Sequence, residues 1–373
     1  MALAADVERY TASKNVQQLR ADLSMLPVWL ARKNSRILAA DTDINRRFIE
    51  SVRHDFPILS NVEISHGDSN VKPMPWGWSR SVRSELRHFG VTVLPGDELL
   101  AQLRRLSSRQ TSVEILQSLK KQGFPVPEMP VVCTSVAEAE AAVNRFGKSV
   151  MKTPWSSSGR GVAPVSSATL QSKRSWIEGA LRRQGMVVCE PLLQKEQDFA
   201  LEFYADCGKV EFCGYSMFFT DTTMSYDHAL VASTQRMRER LSAHVDLNLV
   251  DRLQRSLQST LSALLPSDYE GYVGVDMMAY RDDGELRVDP CIELNLRTTM
   301  GVVSSVLGDD ILRPDAEATM TVRYYRTVDE IRQVIGAQKA AVIEDGRLID
   351  GLLRLTPVDA NTNFIATLAV TNS

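Results

Sequence analysis

Cysteine and histidine are scarce in this 373-residue chain, five of each and all dispersed. The cysteines, Cys133, Cys189, Cys207, Cys213 and Cys291, are odd in number and form no Cys-x-x-Cys pair. That spacing points to reduced thiols and argues against a disulfide framework or a zinc site. No apolar run approaches the length of a membrane-spanning helix. Acidic and basic residues come early (Asp6, Glu8, Arg9), unlike a signal peptide. A net charge of only -3 carries no sign of a nucleic-acid surface or an acidic tail. The remaining composition, 44% hydrophobic and 24% charged, is that of an ordinary globular protein long enough for two or three packed units. The expectation is a soluble cytoplasmic protein without nucleic-acid or membrane partners.

Periodicity predicts short strands alternating with helices. Strands are expected at Ser35–Ala40, Ile58–Ile64 and Val91–Leu94, with helices over Asn45–His54 and Ser81–Phe89, giving an N-terminal α/β unit. Residues 97–121 read as two helices broken near Ser107-Ser108. Val131–Cys133 reads as a strand, and Ser135-Val-Ala-Glu138 opens the next helix as a capping box. Residues 219–229 have the composition of a mobile loop, Leu241–Leu264 of one long amphipathic helix, and the stretches after Ala341 of a terminal β-layer. In the N-terminal part, Trp76, Trp78 and Arg80 admit two readings: a substrate-facing loop, or tryptophans that pack while Arg80 salts a helix start. Tyr226, Asp227 and His228 likewise belong either to a substrate loop or to a plain connection.

Two stretches carry chemistry. The first runs Ser149-Val-Met-Lys152 and then Thr-Pro-Trp-Ser156-Ser157-Ser158-Gly159-Arg160-Gly161. Small residues let backbone amides crowd onto an anion, the serines add hydroxyls, and Lys152 and Arg160 add charge. This pattern fits a phosphate cradle, although Ser/Gly-rich turns also merely join strands, and Arg160 reads either as a phosphate contact or as a solvent residue. The glycine spacing of a P-loop is absent. The second stretch is a strand, Gly271–Tyr280, carrying a single carboxylate at Asp276, then a turn at Asp282-Asp283-Gly284, then a returning strand with Glu293, Asn295 and Arg297 on one face. Two carboxylates and an amide oxygen on paired strands have the hard-oxygen character that Mg²⁺ prefers.

Taken together, Lys152 with its Ser/Gly loop, Asp276, and Glu293-Leu-Asn295-Leu-Arg297 resemble the ATP-grasp superfamily, over about residues 95–330. The resemblance implies an α/β protein, α+β in its catalytic part, in which a pre-ATP-grasp domain (1–97) precedes an ATP-grasp domain (98–330). That domain would comprise a lid subdomain at about 125–188 and a metal-binding subdomain at about 189–330, followed by a C-terminal β segment (331–373). ATP would meet Arg109, Lys152, Ser156, Ser157, Ser158, Gly159, Arg160 and Gly161 through its phosphates. Glu190 and the backbone of Leu192 would meet the adenine, and Asp198 the ribose. Asp276, Glu293 and Asn295 would hold Mg²⁺, two ions by analogy, with Mn²⁺ as a substitute. Lys152 and Arg297 would be the catalytic cations. Arg109 stands where many members have lysine, and Gly274 where D-alanine–D-alanine ligases have arginine, which weakens a cell-wall dipeptide assignment. The implied activity is carboxylate–amine ligation through an acylphosphate, acting on a small carboxylate and an amine, and the resemblance is compatible with a homo-oligomer. The rival readings are a kinase of this fold that phosphorylates a hydroxyl, and an ATP-binding sensor without turnover.

Overall fold

The computed structural model describes residues 2–371 except 33, 66, 68–70, 157–160 and 223. Near the N-terminus β1 (Arg36–Leu38) and β2 (Glu63–Ser65) pair in parallel. The expected strand at Val91–Leu94 does not form; Gly90 and Pro95 bracket it, and only Val91 is buried.

A four-stranded antiparallel sheet follows, built from β3 (Val131–Cys133), β4 (Lys148–Lys152), β5 (Val162–Ser166) and β6 (Val187–Pro191) in the order β3-β6-β4-β5. Helices Val136–Phe146 and Leu170–Gln184 cover one face and share a core of Ala139, Val143, Met151, Ile177 and Val187. The Ser135 hydroxyl accepts from the Glu138 amide, while the Glu138 carboxylate reaches back to the Thr134 amide at 2.7 Å, so the cap fixes where the first of these helices starts.

The larger sheet comprises β7 (Gln194–Asp206), β8 (Lys209–Thr220), β9 (Tyr226–Ala232), β10 (Gly271–Asp282), β11 (Glu285–Asn295) and β12 (Glu317–Tyr324). After a small hairpin, β13 (Val342–Glu344) with β14 (Arg347–Asp350), the chain adds β15 (Leu352–Arg354) and β16 (Phe364–Thr371). The order is β11-β10-β7-β8-β9-β12-β16-β15. The β10–β11 turn has positive φ at Asp283 (48°) and Gly284 (85°), the twist a two-residue hairpin demands.

Three sequence expectations change here. The stretch read as a mobile loop is strand at both ends, Thr220 closing β8 and Tyr226 opening β9, because His228–Ala232 finds a distant partner in Glu317–Thr321 of β12. The long helix expected over Leu241–Leu264 begins only at Leu247, since the Asp246 carboxylate caps its start at the Asn248 amide (2.9 Å), and Leu241 instead ends a separate helix, Thr234–Leu241. The C-terminal strands are not a separate layer: β16 pairs with β12 along eight residues, inside the sheet that carries the site.

Alternation divides this sheet into two faces. Phe199, Leu201, Phe203, Val273, Val275, Met277 and Leu294 pack against Ile115, Leu116 and Leu119 of helix Arg109–Lys121 and against Val250, Leu253 and Leu257. Phe199 and Phe203 are fully buried, stabilising by on the order of 2 kcal/mol each. At the opposite end, Trp29 and Phe56 join Met320, Leu355 and Leu368 in a second core, and Trp29 Nε1 donates to the Leu355 carbonyl at 2.8 Å. The N-terminal unit and the C-terminal strands therefore share one core.

Candidate functional site

Residues of opposite phase on the central strands face away from that helix layer and form two rows across β8, β7, β10 and β11. The register places Ser216, Ala200, Asp276 and Glu293 in one row, and Gly214, Glu202, Gly274 and Asn295 in the next. The three residues expected to bind metal are thus brought together. Asp276 pairs directly with Glu293 across the strands, and Asn295 Nδ2 donates to Asp276 Oδ2 at 3.0 Å.

Charge on this face is unbalanced. Burial pushes the Asp276 carboxyl well above the usual range, and the nearby Glu293 and Glu202 carboxylates push it further; Arg297 and the Asn295 hydrogen bond oppose them. Glu202 is raised to about 7, chiefly by burial, against hydrogen bonds from Thr299 and Ser216 and the charge of Arg297. Among the described residues no three of His, Cys, Asp and Glu converge as a metal cluster; the donor set is two carboxylates and one amide.

Arg109, at the start of its helix, links this face to the small sheet. One terminal nitrogen of its buried guanidinium donates to the Thr153 carbonyl (2.8 Å) and to Ser156 Oγ (2.6 Å), and the other to Glu293 Oε2 (3.1 Å). Its amide also donates to the Pro154 carbonyl (3.1 Å), and its Nε is buried without a partner among the described residues.

Lys152 ends β4, and its ammonium forms an ion pair with Glu190 of β6 in a buried setting. The residues expected at the phosphates and at the adenine therefore touch each other directly. Beyond Lys152 the chain turns, and the Thr153 amide closes the β4–β5 connection on the Gly161 carbonyl at 2.8 Å. Gly161 has φ +79°, and a Cβ there would lie 2.3 Å from Thr153 Oγ1, so this return requires glycine. Ser157, Ser158, Gly159 and Arg160 lie outside the described residues.

Leu192 is exposed, and its amide donates to the Lys148 carbonyl (3.0 Å). Asp198 accepts from Lys195 Nζ (2.7 Å) and Thr220 Oγ1 (3.3 Å). In the N-terminal loop, the Trp76 carbonyl accepts from the Thr298 amide at 2.8 Å and Gly77 bridges to Arg297, while the Trp78 ring packs on the helix-facing core. Arg80 instead pairs with Asp6 (3.2 Å) and Asp97 (2.7 Å).

Tyr226 and His228 lie in β9. His228 stacks on Phe219 (4.4 Å between centroids) and bonds Asp227. Both rings share the phase of Met217 and Leu230, which pack on the helix-facing side, away from Asp276. The Tyr226 ring packs on the second core, and its hydroxyl is buried without a partner among the described residues. Arg323 and His228 hold the Asp227 carboxyl down to about 2.

Two acidic residues of this region carry no role in the sequence reading. Asp289 is raised to about 7 by burial and by Glu190, against the Cys291 amide and Lys152, which places it by the Lys152–Glu190 pair. Glu202 is the other. Its signal in the sequence is slight: it is one carboxylate within the run Phe199–Ala205, opposite in phase to Phe199, Leu201 and Phe203.

No protein-family model and no curated protein sequence matches the chain. Solved structures do. The biotin carboxylase domain of Hydrogenobacter thermophilus 2-oxoglutarate carboxylase, in complex with MgADP, ADP and bicarbonate, is 12% identical over 92% of this chain and 87% of that one, with a TM-score of 0.53. Biotin carboxylase from Campylobacter jejuni is 12% identical over 91% of this chain and 70% of its own, with a TM-score of 0.50. An N5-carboxyaminoimidazole ribonucleotide synthetase bound to ADP is 14% identical over 95% and 90%, also with a TM-score of 0.50. These neighbours are ATP-grasp proteins, and the likeness extends over more than nine-tenths of the chain. At such identities it is architecture that is shared: the chain has the ATP-grasp fold.

Proposed function

We propose that this chain is an ATP-dependent carboxylate–amine ligase that releases ADP and phosphate. The observation that carries the reading is Arg109, whose guanidinium touches both the Thr153–Ser156 loop and the metal-candidate Glu293. A polyphosphate lying between the sheets would meet cations on one side and metal-held carboxylates on the other.

The residues present fit such a ligand. Burial raises Asp276 and Glu202, and neighbouring carboxylates raise Asp276 further, beside Glu293, which Arg109 pairs; this face suits a divalent cation held by Asp276, Glu293 and Asn295. The buried Arg109 Nε is a donor without an acceptor among the described residues, which suits an anion. Mg²⁺, when bound, would absorb charge on the β- and γ-phosphates. Lys152 would exchange Glu190 for phosphate oxygens, leaving the Glu190 carboxylate to accept from the adenine amino group. With its amide taken by the Lys148 carbonyl, Leu192 would offer the base its backbone carbonyl. Asp198 would receive the ribose hydroxyls beside Lys195, and Ser156 and the loop through Gly161 would close over the phosphates.

Chemistry then needs little beyond positioning. An oxygen of the substrate carboxylate attacks the γ-phosphorus and ADP leaves. The amine nitrogen attacks the resulting acyl carbon, the carbon–oxygen bond to phosphate breaks, and phosphate departs. Arg297 would steady the oxyanion. The loop that carries Trp76 and Trp78 and touches Arg297 and Thr298 through its backbone would form the wall nearest the transferring group.

Isothermal calorimetry with ATP in the presence and absence of Mg²⁺ tests the nucleotide site. The reading predicts Mg²⁺-dependent binding that Glu293→Gln weakens while the fold persists. Equal affinity with and without Mg²⁺ removes the metal assignment.

A further inference from the structure

A carboxylate is costly to bury, yet Glu202 sits in mid-strand with 1% of its surface exposed. Ser216 Oγ (3.1 Å) and Thr299 Oγ1 (3.0 Å) both donate to its Oε1, and Oε2 has no partner among the described residues. Two glycines make way for it. A Cβ on Gly274 would stand 2.8 Å from Oε2, and one on Gly301 2.0 Å from Oε1. An apolar side chain would fill such a strand position at less cost, so the retained carboxyl calls for a partner.

Arg297 is the cation whose field reaches both Glu202 and Asp276. Its guanidinium donates to the Thr298 carbonyl at 3.1 Å and has further N–H groups to offer. The backbone around it is gripped from two sides. Trp76 and Gly77 hold Thr298 and Arg297 from the N-terminal loop, and Glu202 holds the Thr299 hydroxyl from the sheet. Once a cation neutralises Asp276, Glu202 is the carboxylate left to face Arg297.

We propose that Glu202 is a positioning residue for Arg297: it anchors the Arg297–Thr299 segment through Thr299 and offers Oε2 as the counter-charge that aims the guanidinium at the transferring group. This rests on the ligase reading. The test uses phosphonoformate, a stable carboxylate–phosphonate, titrated calorimetrically into protein saturated with MgADP, on wild type, Glu202→Gln, Arg297→Lys and the double variant. MgADP affinity and thermal unfolding serve as controls for the nucleotide site and the fold. Glu202→Gln weakens phosphonoformate about tenfold or more, the scale of a charged hydrogen bond, and the double variant is no weaker than Arg297→Lys alone. Wild-type affinity in Glu202→Gln, or a loss that adds in full to that of Arg297→Lys, overturns the proposal. A wild-type protein that binds MgADP but not phosphonoformate overturns the ligase reading, and this inference falls with it.

Discussion

The two sheets handle buried charge in opposite ways. On the small sheet Lys152 and Glu190 neutralise each other in one ion pair. On the large sheet Asp276, Glu293 and Glu202 crowd together, with Arg297 and Arg109 to offset them. Stability alone accounts for the first arrangement, since a buried pair is satisfied by itself. It does not account for the second, where one carboxylate is driven well above its usual range and another keeps an oxygen without a partner among the described residues. An acidic surplus of this kind is relieved by a cation that arrives with the ligand, whereas the small sheet must give up its pair to receive one.

The sharpest way to break the contrast is on the acidic side. Glu293→Gln is expected to lower ADP formation by on the order of a thousandfold or more, the equivalent of about 4 kcal/mol in the barrier, with the circular dichroism spectrum unchanged. Activity near wild type would remove Glu293 from the metal set. Next in size is Lys152→Met, which strands Glu190 in a buried setting and should destabilise the fold by about 3 kcal/mol. Adding Glu190→Gln should restore most of that in urea titrations; no recovery would mean that Lys152 acts on stability through something other than the pair.

A smaller effect is expected from Asp289. Burial lifts its folded-state pKa to about 7, above the ordinary carboxylate value it regains on unfolding. Between those values the unfolded chain has lost the proton that the folded chain keeps, so this group erodes stability as pH rises from about 4 to about 7, and no further above. Asp289→Asn should therefore melt a few degrees higher than wild type, roughly, at pH 8 and at the same temperature at pH 4. An equal shift at both pH values would contradict the ionisation account. Smallest is Gly77→Ala. Its Cβ would stand 3.0 Å from the Arg297 Cβ, so the loop must yield slightly. A fall of about threefold in turnover is expected, with ATP affinity preserved. Weakened ATP binding would show that the loop acts on the nucleotide instead of on Arg297.

How far the sequence spoke for itself differs between the same regions. Asp276, Glu293 and Asn295 were legible because a two-residue turn fixes the register of β10 on β11, and period-two alternation then fixes which side chains share a face. Glu202 was not, because its relation to Gly274 depends on β7 pairing with β10 across about seventy residues of intervening chain, a register that alternation alone does not specify. For the same reason β9 read as a loop: Asp227 and His228 look like loop residues until Arg323 and Phe219 supply their partners. The Val91–Leu94 stretch failed in the other direction, apolar enough for a strand but turned back on the preceding helix, where the Val91 amide donates to the Leu86 carbonyl at 3.2 Å.

The most direct test of the central claim is ADP release from Mg-ATP against a panel of small carboxylates and amines, each alone and in pairs, with product masses recorded. The account predicts ADP and phosphate in the presence of one acid–amine pair, and a product whose mass equals the pair less one water. A phosphorylated acceptor formed without any amine would contradict it and establish a kinase on the same fold, and tight ATP binding without ADP from any pair would favour a nucleotide sensor over a ligase.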